Sequence, residues 1–310
     1  MRRIVLLVAV LAAGCMSAGG TATAPTSPST STTVPPPAKV IVTPTGVVAP
    51  VLETLATSWR VETPCGGQAV VTEGTPLHDA EVVLDPGHGG PRETGSVGAN
   101  GLVERDLNLS VAKRARDALE RLGHTVVLTH NLDHEMTLKA RADVALQLGA
   151  KAFVSIHHNG GVDGPSTKPG TETYYQHQSP DSKRLGGLVY EEVFAMFSRQ
   201  PGVSWFANRD AGAKYRIGGN GVDDYYGILR NAKGVPAVLS EALFLSASPS
   251  EAALLARADV QTAEAEAIAR AVHRFLTTKD PGSGFVTPLP RYGPAGPGGG
   301  TDGCVETRLE

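Results

Sequence analysis

Four polar side chains in this chain of 310 residues have the types that metal-assisted hydrolysis requires: His88, Glu104, His157 and Glu241. Two histidines and one carboxylate can hold zinc in a tetrahedral site that keeps one position open for water. The remaining carboxylate, Glu241, can act as general base, because zinc lowers the pKa of its bound water to about 7. Together the four side chains predict hydrolysis of an amide or an ester.

His88 lies on the turn Asp85-Pro-Gly-His-Gly-Gly, which follows the apolar run Val82-Val-Leu. The run is typical of a short buried strand, and the proline and glycines indicate a sharp turn where that strand ends. Ligands of open α/β sheets bind at this edge. The position favours a metal ligand, with a surface histidine on an ordinary turn as the alternative.

Glu104 and Glu241 each have an ordinary alternative role. Glu104 begins a predicted helix, where a carboxylate also interacts favourably with the helix dipole. The glycine-rich loop 89–101 can bring this helix start over the end of the first strand. Glu241 ends an apolar strand, where a carboxylate is costly to bury without a role or a partner. The alternative for Glu241 is a salt bridge to a nearby arginine or lysine.

Two histidines follow each other at the end of the apolar strand at 152–156. Successive side chains of a strand point to opposite faces, so only one of them can face the predicted metal. Ser155, His157 and Asn159 share one face. We therefore assign His157 to the site and expect His158 to be a partly buried or surface polar residue.

The elements that position these residues alternate between strand and helix from residue 81 to residue 278. This pattern predicts an α/β fold with a single twisted, mostly parallel sheet covered by helices on both faces. Strands are predicted near 82–84, 125–129, 152–156, 171–175, 226–229 and 237–239, and helices near 103–122, 138–146, 181–198, 250–256 and 260–277.

The remaining segments flank this predicted catalytic domain, 81–278. Residues 1–14 have the basic, apolar and small-residue regions of a signal peptide, and 15–38 form a Ser/Thr/Pro/Ala-rich tether. Val-rich pieces at 39–80 predict a small β segment. The tail at 279–310 is rich in Gly and Pro, and 304–307 could form an edge strand beside 59–71.

The three cysteines agree with an exported protein. Cys15 follows Leu-Ala-Ala-Gly, which resembles a bacterial lipobox with Ala12 where leucine is usual. Both lipidation at Cys15 and plain cleavage would export the chain, to the outer face of the cytoplasmic membrane or to the periplasm or cell wall. Cys65 and Cys304 then remain as an even pair in an oxidising compartment, where a disulfide is favoured over two free thiols. The formal charge of −3 gives no nucleic-acid signature.

Several motifs occur in an order that resembles the zinc-dependent N-acetylmuramoyl-L-alanine amidases of the amidase-3 type, over residues 81–278. They are Asp85-Pro-Gly-His-Gly-Gly, Glu104-Arg-Asp-Leu-Asn-Leu, Arg141 in a Leu-x-x-Arg context, Ser155-Ile-His-His-Asn and Pro236-Ala-Val-Leu-Ser-Glu. The export signal, the tether and the Val-rich lead-in resemble actinobacterial members. One departure is Ala242-Leu-Phe, where the family often has Gly-Phe soon after the catalytic glutamate.

The resemblance implies zinc ligands at His88, Glu104 and His157, one zinc per chain and a catalytic Glu241. It also suggests that Asn159 positions the peptide and that Arg141 is structural. The implied substrate is peptidoglycan or a muropeptide, cleaved between the lactyl group of N-acetylmuramic acid and the L-Ala of the stem peptide. We expect a monomer that acts without nucleic acid.

Three other functions stay open at this point. Another zinc hydrolase, such as a peptidase or a deacetylase, could use the same residues, because fold and metal do not determine the substrate. A wall-binding lipoprotein without activity could retain them. An exported α/β domain with unrelated polar strand ends would carry the motifs by chance.

Overall fold

A computed structural model of the chain describes residues 36–289 and 303–310. The predicted signal segment 1–14, Cys15 and nearly all of the tether lie outside the described residues. The elements follow in this order: β1 (Val40–Val42), β2 (Val48–Thr54), β3 (Trp59–Glu62), β4 (Gln68–Val71), β5 (Thr75–Leu77), β6 (Val82–Pro86), α1 (Glu104–Arg121), β7 (Val126–Leu128), α2 (Leu138–Gln147), β8 (Ala152–Asn159), β9 (Gly164–Ser166), β10 (Glu172–Tyr175), α3 (Pro180–Phe197), β11 (Trp205–Ala207), β12 (Ala213–Lys214), α4 (Gly227–Asn231), β13 (Ala237–Phe244), α5 (Pro249–Leu255) and α6 (Ala258–Thr277).

The central sheet has six strands in the order β12-β10-β13-β8-β6-β7. Strands β13, β8, β6 and β7 pair in parallel, whereas β10 pairs antiparallel with β13 and parallel with β12. The central sheet is therefore mixed, and the prediction of a mostly parallel sheet is wrong because β10 runs antiparallel to β13. The antiparallel strand β10 follows β8 in the chain through the short strand β9 and without a helix. Parallel strands of one sheet are usually joined by a helical crossover, and this connection has none.

The prediction of a single sheet is wrong for the catalytic region, because β9 and β11 form a second, two-stranded sheet there, whereas the predicted small β segment is present as a sheet of its own. Strands β1 to β5 form a five-stranded antiparallel sheet in the order β4-β3-β2-β1-β5, and β9 pairs antiparallel with β11. The alternating Val-rich pieces and turns of residues 39–80 suit antiparallel hairpins, in which short loops connect neighbouring strands. Ile41, Val61 and Val71 are fully buried in a small core of this sheet.

Helices cover both faces of the central sheet. Apolar side chains of α1, α3 and α6 form one core with Val154 and Ile156 of β8, and those of α2 and α4 form another with Phe153 of the same strand. Val40 and Val48 of the antiparallel sheet join the second core. Within the described ranges, no helix is both long and apolar enough to cross a membrane.

Two shorter elements differ from the sequence prediction. The apolar run at 226–229 belongs to the short helix α4, not to a strand, and packs its Ile228 and Leu229 against the core of α2. A run of four apolar residues has too little periodicity to distinguish a buried helical turn from a strand.

Residues 304–307 form no strand, although they lie beside residues 63–65 as expected. The glutamate at 306 contacts that segment through its side chain, so no ladder of backbone hydrogen bonds is made.

Three helix starts explain how polar residues determine the ends of these elements. The side chains of Thr137, Ser179 and Ser248 each accept a hydrogen bond from a backbone N–H in the first turn of α2, α3 and α5. Proline follows Ser179 and Ser248 at the first helical position, where its missing N–H is not needed. These caps place the helices so that their apolar faces meet the sheet.

Candidate functional site

The turn after β6 holds His88 in a left-handed backbone conformation. Its φ is +66°, and it is the one residue other than glycine with a positive φ among the described residues. Such a conformation is unfavourable for most side chains and needs support from its surroundings. The backbone carbonyl of His88 accepts a hydrogen bond of 2.7 Å from Arg141. Gly87 leaves room for the ring of His157, which a Cβ at this position would overlap.

A buried ion pair between Asp85 and Arg141 supports this turn. Arg141 Nη1 lies 2.9 Å from Asp85 Oδ1 and also donates to the carbonyl of Pro86 at 2.7 Å. Thr129 and Ser155 each donate a hydrogen bond of 2.7 Å to the Asp85 carboxylate. Burial opposes ionisation, but Arg141 and the two hydroxyls hold the pKa of Asp85 below its usual value. These contacts give Arg141 a structural role.

Glu104, the first residue of α1, is almost fully buried beneath the turn. Its Oε2 accepts a hydrogen bond of 2.7 Å from the backbone N–H of Ser96, and its Oε1 accepts one of 3.2 Å from that of His158. Oε1 also lies 3.1 Å from both His88 Nε2 and His157 Nδ1. Burial opposes ionisation, but the hydrogen bonds from the two histidines hold the pKa of Glu104 well below its usual value.

The two consecutive histidines of β8 point to opposite faces of the sheet, as predicted. His157 turns towards Glu104, whereas His158 turns into the core between α1 and α6. The expectation of a partly exposed His158 is wrong, because its side chain is completely buried. Its ring nitrogens lie 2.8 Å from Asn108 Oδ1 and 3.2 Å from Glu264 Oε2, and these partners make the burial of a polar ring tolerable.

Three potential ligand atoms converge at the carboxyl edge of the central sheet. One atom each from His88, Glu104 and His157 lies within 4.8 Å of the others, and this is the one such group of three or more residues among those the structure describes. The rings of the two histidines meet edge to face, with centroids 4.8 Å apart. Burial lowers the pKa of His157, which keeps its ring neutral and able to bind a metal. The group could hold a metal ion.

Glu241 lies beside this group on the neighbouring strand. In the parallel pairing of β13 with β8, the Cα of Glu241 is the direct partner of that of His157. Its Oε2 is buried without a hydrogen-bond partner. Burial and the nearby carboxylates of Glu104 and Glu172 raise the pKa of Glu241 well above its usual value. No arginine or lysine in the described part of the chain forms an ion pair with Glu241, so the salt-bridge alternative is not realised.

Asn159 belongs to a buried polar network that the sequence did not reveal. Its Nδ2 donates a hydrogen bond of 2.8 Å to Glu172, which is fully buried and accepts further hydrogen bonds from Tyr174, Asn208 and Lys214. Glu172 pairs in register with Glu241 across β10 and β13. The signal in the sequence was a charged residue inside the β-branched and aromatic run Thr-Glu-Thr-Tyr-Tyr at 171–175.

Cys65 and Cys304 form a disulfide across 239 residues of sequence, with their Cα atoms 5.6 Å apart. The bond joins the β-rich segment to the tail, as the sequence predicted. The position of Cys15 lies outside the described residues.

A cavity of about 240 Å³ opens beside the histidines. Its lining includes Asp85, Gly87, His88 and His157 around the turn after β6, and Tyr226, Ile228 and Leu239 at the start of α4 and in β13. Met136, Leu138 and Cys304 also reach it. Two of the three potential metal ligands, His88 and His157, therefore face a space that is large enough for part of a small ligand.

Residues 82–274, more than half of the chain, match the family model described as N-acetylmuramoyl-L-alanine amidase. Over 202 residues the chain is 34% identical to YqiI of Bacillus subtilis, covering 64% of this chain and 86% of that protein. It is 31% identical over 195 residues to the N-acetylmuramoyl-L-alanine amidase LytC of the same species, covering 62% of this chain but only 35% of LytC.

Two solved structures of N-acetylmuramoyl-L-alanine amidases also align with this chain. The N-acetylmuramoyl-L-alanine amidase AmiC2 of Nostoc punctiforme aligns with a TM-score of 0.52 at 31% identity, over 63% of this chain and 96% of that one. The catalytic domain of CwlV, an N-acetylmuramoyl-L-alanine amidase from Bacillus (Paenibacillus) polymyxa var. colistinus, aligns with a TM-score of 0.52 at 32% identity, over 64% and 98% of the two chains.

Proposed function

The chain belongs to the N-acetylmuramoyl-L-alanine amidase family, and from this membership we propose that it is a zinc-dependent peptidoglycan hydrolase. It cleaves the amide between the lactyl group of N-acetylmuramic acid and the L-Ala of the stem peptide. The observation that carries the proposal is the convergence of three potential ligand atoms beside an unpartnered buried carboxylate oxygen on Glu241.

The residues at this site fit zinc. Two imidazole nitrogens and one carboxylate oxygen are the donors that catalytic zinc sites use, and a fourth position is left for water or substrate. His88 Nε2 and His157 Nδ1 both face the same oxygen of Glu104, at 3.1 Å. We assign these three side chains as the ligands of one zinc ion. When bound, zinc polarises a carbonyl and lowers the pKa of a bound water.

Glu241 supplies the proton transfer. Its raised pKa makes the ionised carboxylate a stronger base than an exposed glutamate. The base accepts a proton from the attacking water and returns it to the nitrogen of L-Ala as the amide bond breaks. Water adds to the lactyl carbonyl carbon, so the products are a free lactyl carboxylate and a free peptide amine.

Asn159 orients the peptide in this proposal. Its Nδ2 is held by Glu172 at 2.8 Å, and its Oδ1 has no hydrogen-bond partner among the described residues. The free oxygen can accept a hydrogen bond from a peptide N–H of the substrate. The buried network around Glu172 keeps the amide in one orientation, because both partners have few alternatives.

The compartment follows from the same proposal. A chain that acts on peptidoglycan needs export, and the Cys65–Cys304 disulfide is favoured in an oxidising compartment. We propose that residues 1–14 direct export, that the chain acts as a monomer, and that Cys15 carries a lipid anchor. Radiolabelled lipid supplied to the host should be incorporated into the wild-type protein but not into a Cys15→Ser control. If the wild-type protein incorporates none, the lipid anchor is ruled out and the chain acts as a cleaved, soluble enzyme.

Digestion of purified peptidoglycan with mass spectrometry of the products tests the function. The proposal requires new L-Ala amino termini with the glycan strands intact, and a yield from the Glu241→Gln variant that is lower by about a hundredfold or more in the same time. Cleavage within the stem peptide would identify a peptidase, and loss of acetyl groups a deacetylase. Stoichiometric zinc with no turnover would identify a wall-binding protein without activity.

A further inference from the structure

The cavity beside the histidines has walls from two parts of the chain. Most of its lining comes from the region that matches the amidase family, including Met136, Ile228 and Leu239. Cys304 comes from the tail, which lies beyond residue 274, where the family match ends. The tail therefore adds to this site a surface that lies outside the family match.

The tail is held at the cavity by contacts on the catalytic side. The backbone N–H of Val305 donates a hydrogen bond of 2.8 Å to Oε2 of Glu135, a buried residue of the cavity wall. Arg92, which also lines the cavity, lies 3.4 Å from Oε1 of the same carboxylate. The guanidinium of Arg92 packs against Gly303, where no side chain could be accommodated without moving it. Glu135 thus joins the tail to the rim of the cavity.

Contacts with the antiparallel sheet hold the rest of the tail. Cys304 is bonded to Cys65, and Glu306 accepts hydrogen bonds from the Thr63 hydroxyl and the backbone N–H of Cys65. Further along, the Thr45 hydroxyl contacts the carbonyl of Arg308 at 2.7 Å. A segment held covalently and by hydrogen bonds on two sides can act as a rigid wall, since few of its backbone conformations remain accessible.

We propose that residues 303–306 of the tail are a specificity element that completes a subsite for the stem peptide. This inference rests on the proposed amidase function. The lining combines the alkyl side chains of Met136, Leu138, Ile228 and Leu239 with the exposed, opposite charges of Arg92 and Glu93. Alkyl groups together with both a carboxylate and an amine are features of a stem peptide, whereas a neutral sugar is bound chiefly through many hydrogen bonds and aromatic faces. Tyr226 is the one Phe, Tyr or Trp side chain in this lining.

Hydrogen exchange on the wild-type zinc protein tests the proposal without a substitution. A free stem tetrapeptide at saturating concentration should slow amide exchange in residues 303–306 by about tenfold or more, since an occupied subsite opposes opening of its wall. The neutral sugar N-acetylglucosamine at the same concentration should leave this exchange unchanged. Unchanged exchange with the tetrapeptide, or slowing by the sugar alone, would overturn the subsite.

Kinetics of a double variant, Cys65→Ser with Cys304→Ser, supply a second test. With a soluble muropeptide, KM should rise about tenfold, the equivalent of losing one good contact, while kcat stays within about twofold. Zinc content and melting temperature are measured on the same preparation. Glu310→Gln is the matched control, because Glu310 binds Thr72 and Glu73 at the far end of the tail and does not line the cavity.

The outcomes separate this inference from the amidase proposal. A folded double variant with an unchanged KM, or an equal rise in KM for Glu310→Gln, would overturn the role of the tail while wild-type cleavage still supports the amidase. Absence of cleavage by the wild-type protein would instead contradict the amidase function, whatever the exchange experiment shows. If the double variant does not fold, the exchange experiment on the wild-type protein decides the matter.

Discussion

His157 and Glu241 are direct Cα partners in the parallel pairing of β8 with β13, and their side chains lie on the same face of the sheet as Phe153 and Leu239. This register places the proposed metal ligand next to the proposed base. A shift of one residue in either strand would send one of the two side chains to the opposite face. The separation between ligand and base is therefore determined by the hydrogen bonds of the sheet and not by a flexible loop.

His157→Ala is expected to lose zinc, because it removes one of the three proposed ligands and alanine offers no donor atom in its place. His158→Gln is the matched control: its side chain points into the core, so it should retain zinc even if its melting temperature falls. Metal analysis of both purified variants checks the assignment. Full zinc in His157→Ala, or equal loss in the two variants, would contradict it.

Glu241→Gln is expected to fold, to retain zinc and to bind muropeptide, since glutamine has nearly the same size and reach. Its turnover should fall by about a hundredfold or more, because the amide cannot accept the proton from water. Zinc content, melting temperature and rate are measured on one preparation. Near-native turnover would remove Glu241 from the role of base, and a lowered melting temperature with normal turnover would make it a structural residue.

Arg141→Met is expected to destabilise the fold by about 3–5 kcal/mol, because it leaves Asp85 buried without its counter-charge. The same change removes the hydrogen bond to the carbonyl of His88, so zinc affinity should also fall. Urea unfolding and zinc titration measure the two effects. Arg116→Met, which breaks an exposed pair with Asp117, serves as the control and should change the free energy of unfolding by less than about 1 kcal/mol.

Removal of the disulfide is expected to lower the free energy of unfolding by about 2–5 kcal/mol, because the bond closes a long loop in the unfolded chain. In a Cys15→Ser background, thiol titration of the unfolded, unreduced protein should detect no free thiol. Two reactive thiols in that sample would show that the disulfide does not form. An unchanged unfolding curve for the Cys65→Ser, Cys304→Ser variant would show that the disulfide contributes little to the free energy of unfolding.

Glu251 should make the stability depend on pH. Burial raises its pKa from 4.5 to about 7, even though its carboxylate accepts hydrogen bonds from the backbone N–H groups of Phe206 and Phe244. The unfolded chain then loses this proton at lower pH than the native protein does. The stabilising contribution is complete below about pH 4.5 and is lost as the pH rises through about 7. In urea unfolding experiments across this pH range, the free energy of unfolding should fall less steeply with pH for Glu251→Gln than for the wild-type protein. Equal pH dependence in the two proteins would contradict the prediction.

The sequence alone was sufficient to predict the chemical types at the site and most of the elements that carry them. His88, His157 and Glu241 each follow an apolar run, and apolar runs that end in Gly, Pro or a polar residue indicate the carboxyl ends of buried strands. The alternation of side chains along β8 also assigned His157 and not His158 to the site. These inferences depend on local periodicity, which the order of residues determines directly.

Only the tertiary structure decided which strands are neighbours and what lies around the reacting groups. The antiparallel placement of β10 brings Glu172 next to Glu241, and the folding back of the tail brings Cys304 to the cavity. The unpartnered state of Glu241 and the burial of His158 are likewise products of packing. Contacts between residues far apart in sequence depend on how whole elements dock, and no local pattern of residues encodes that docking.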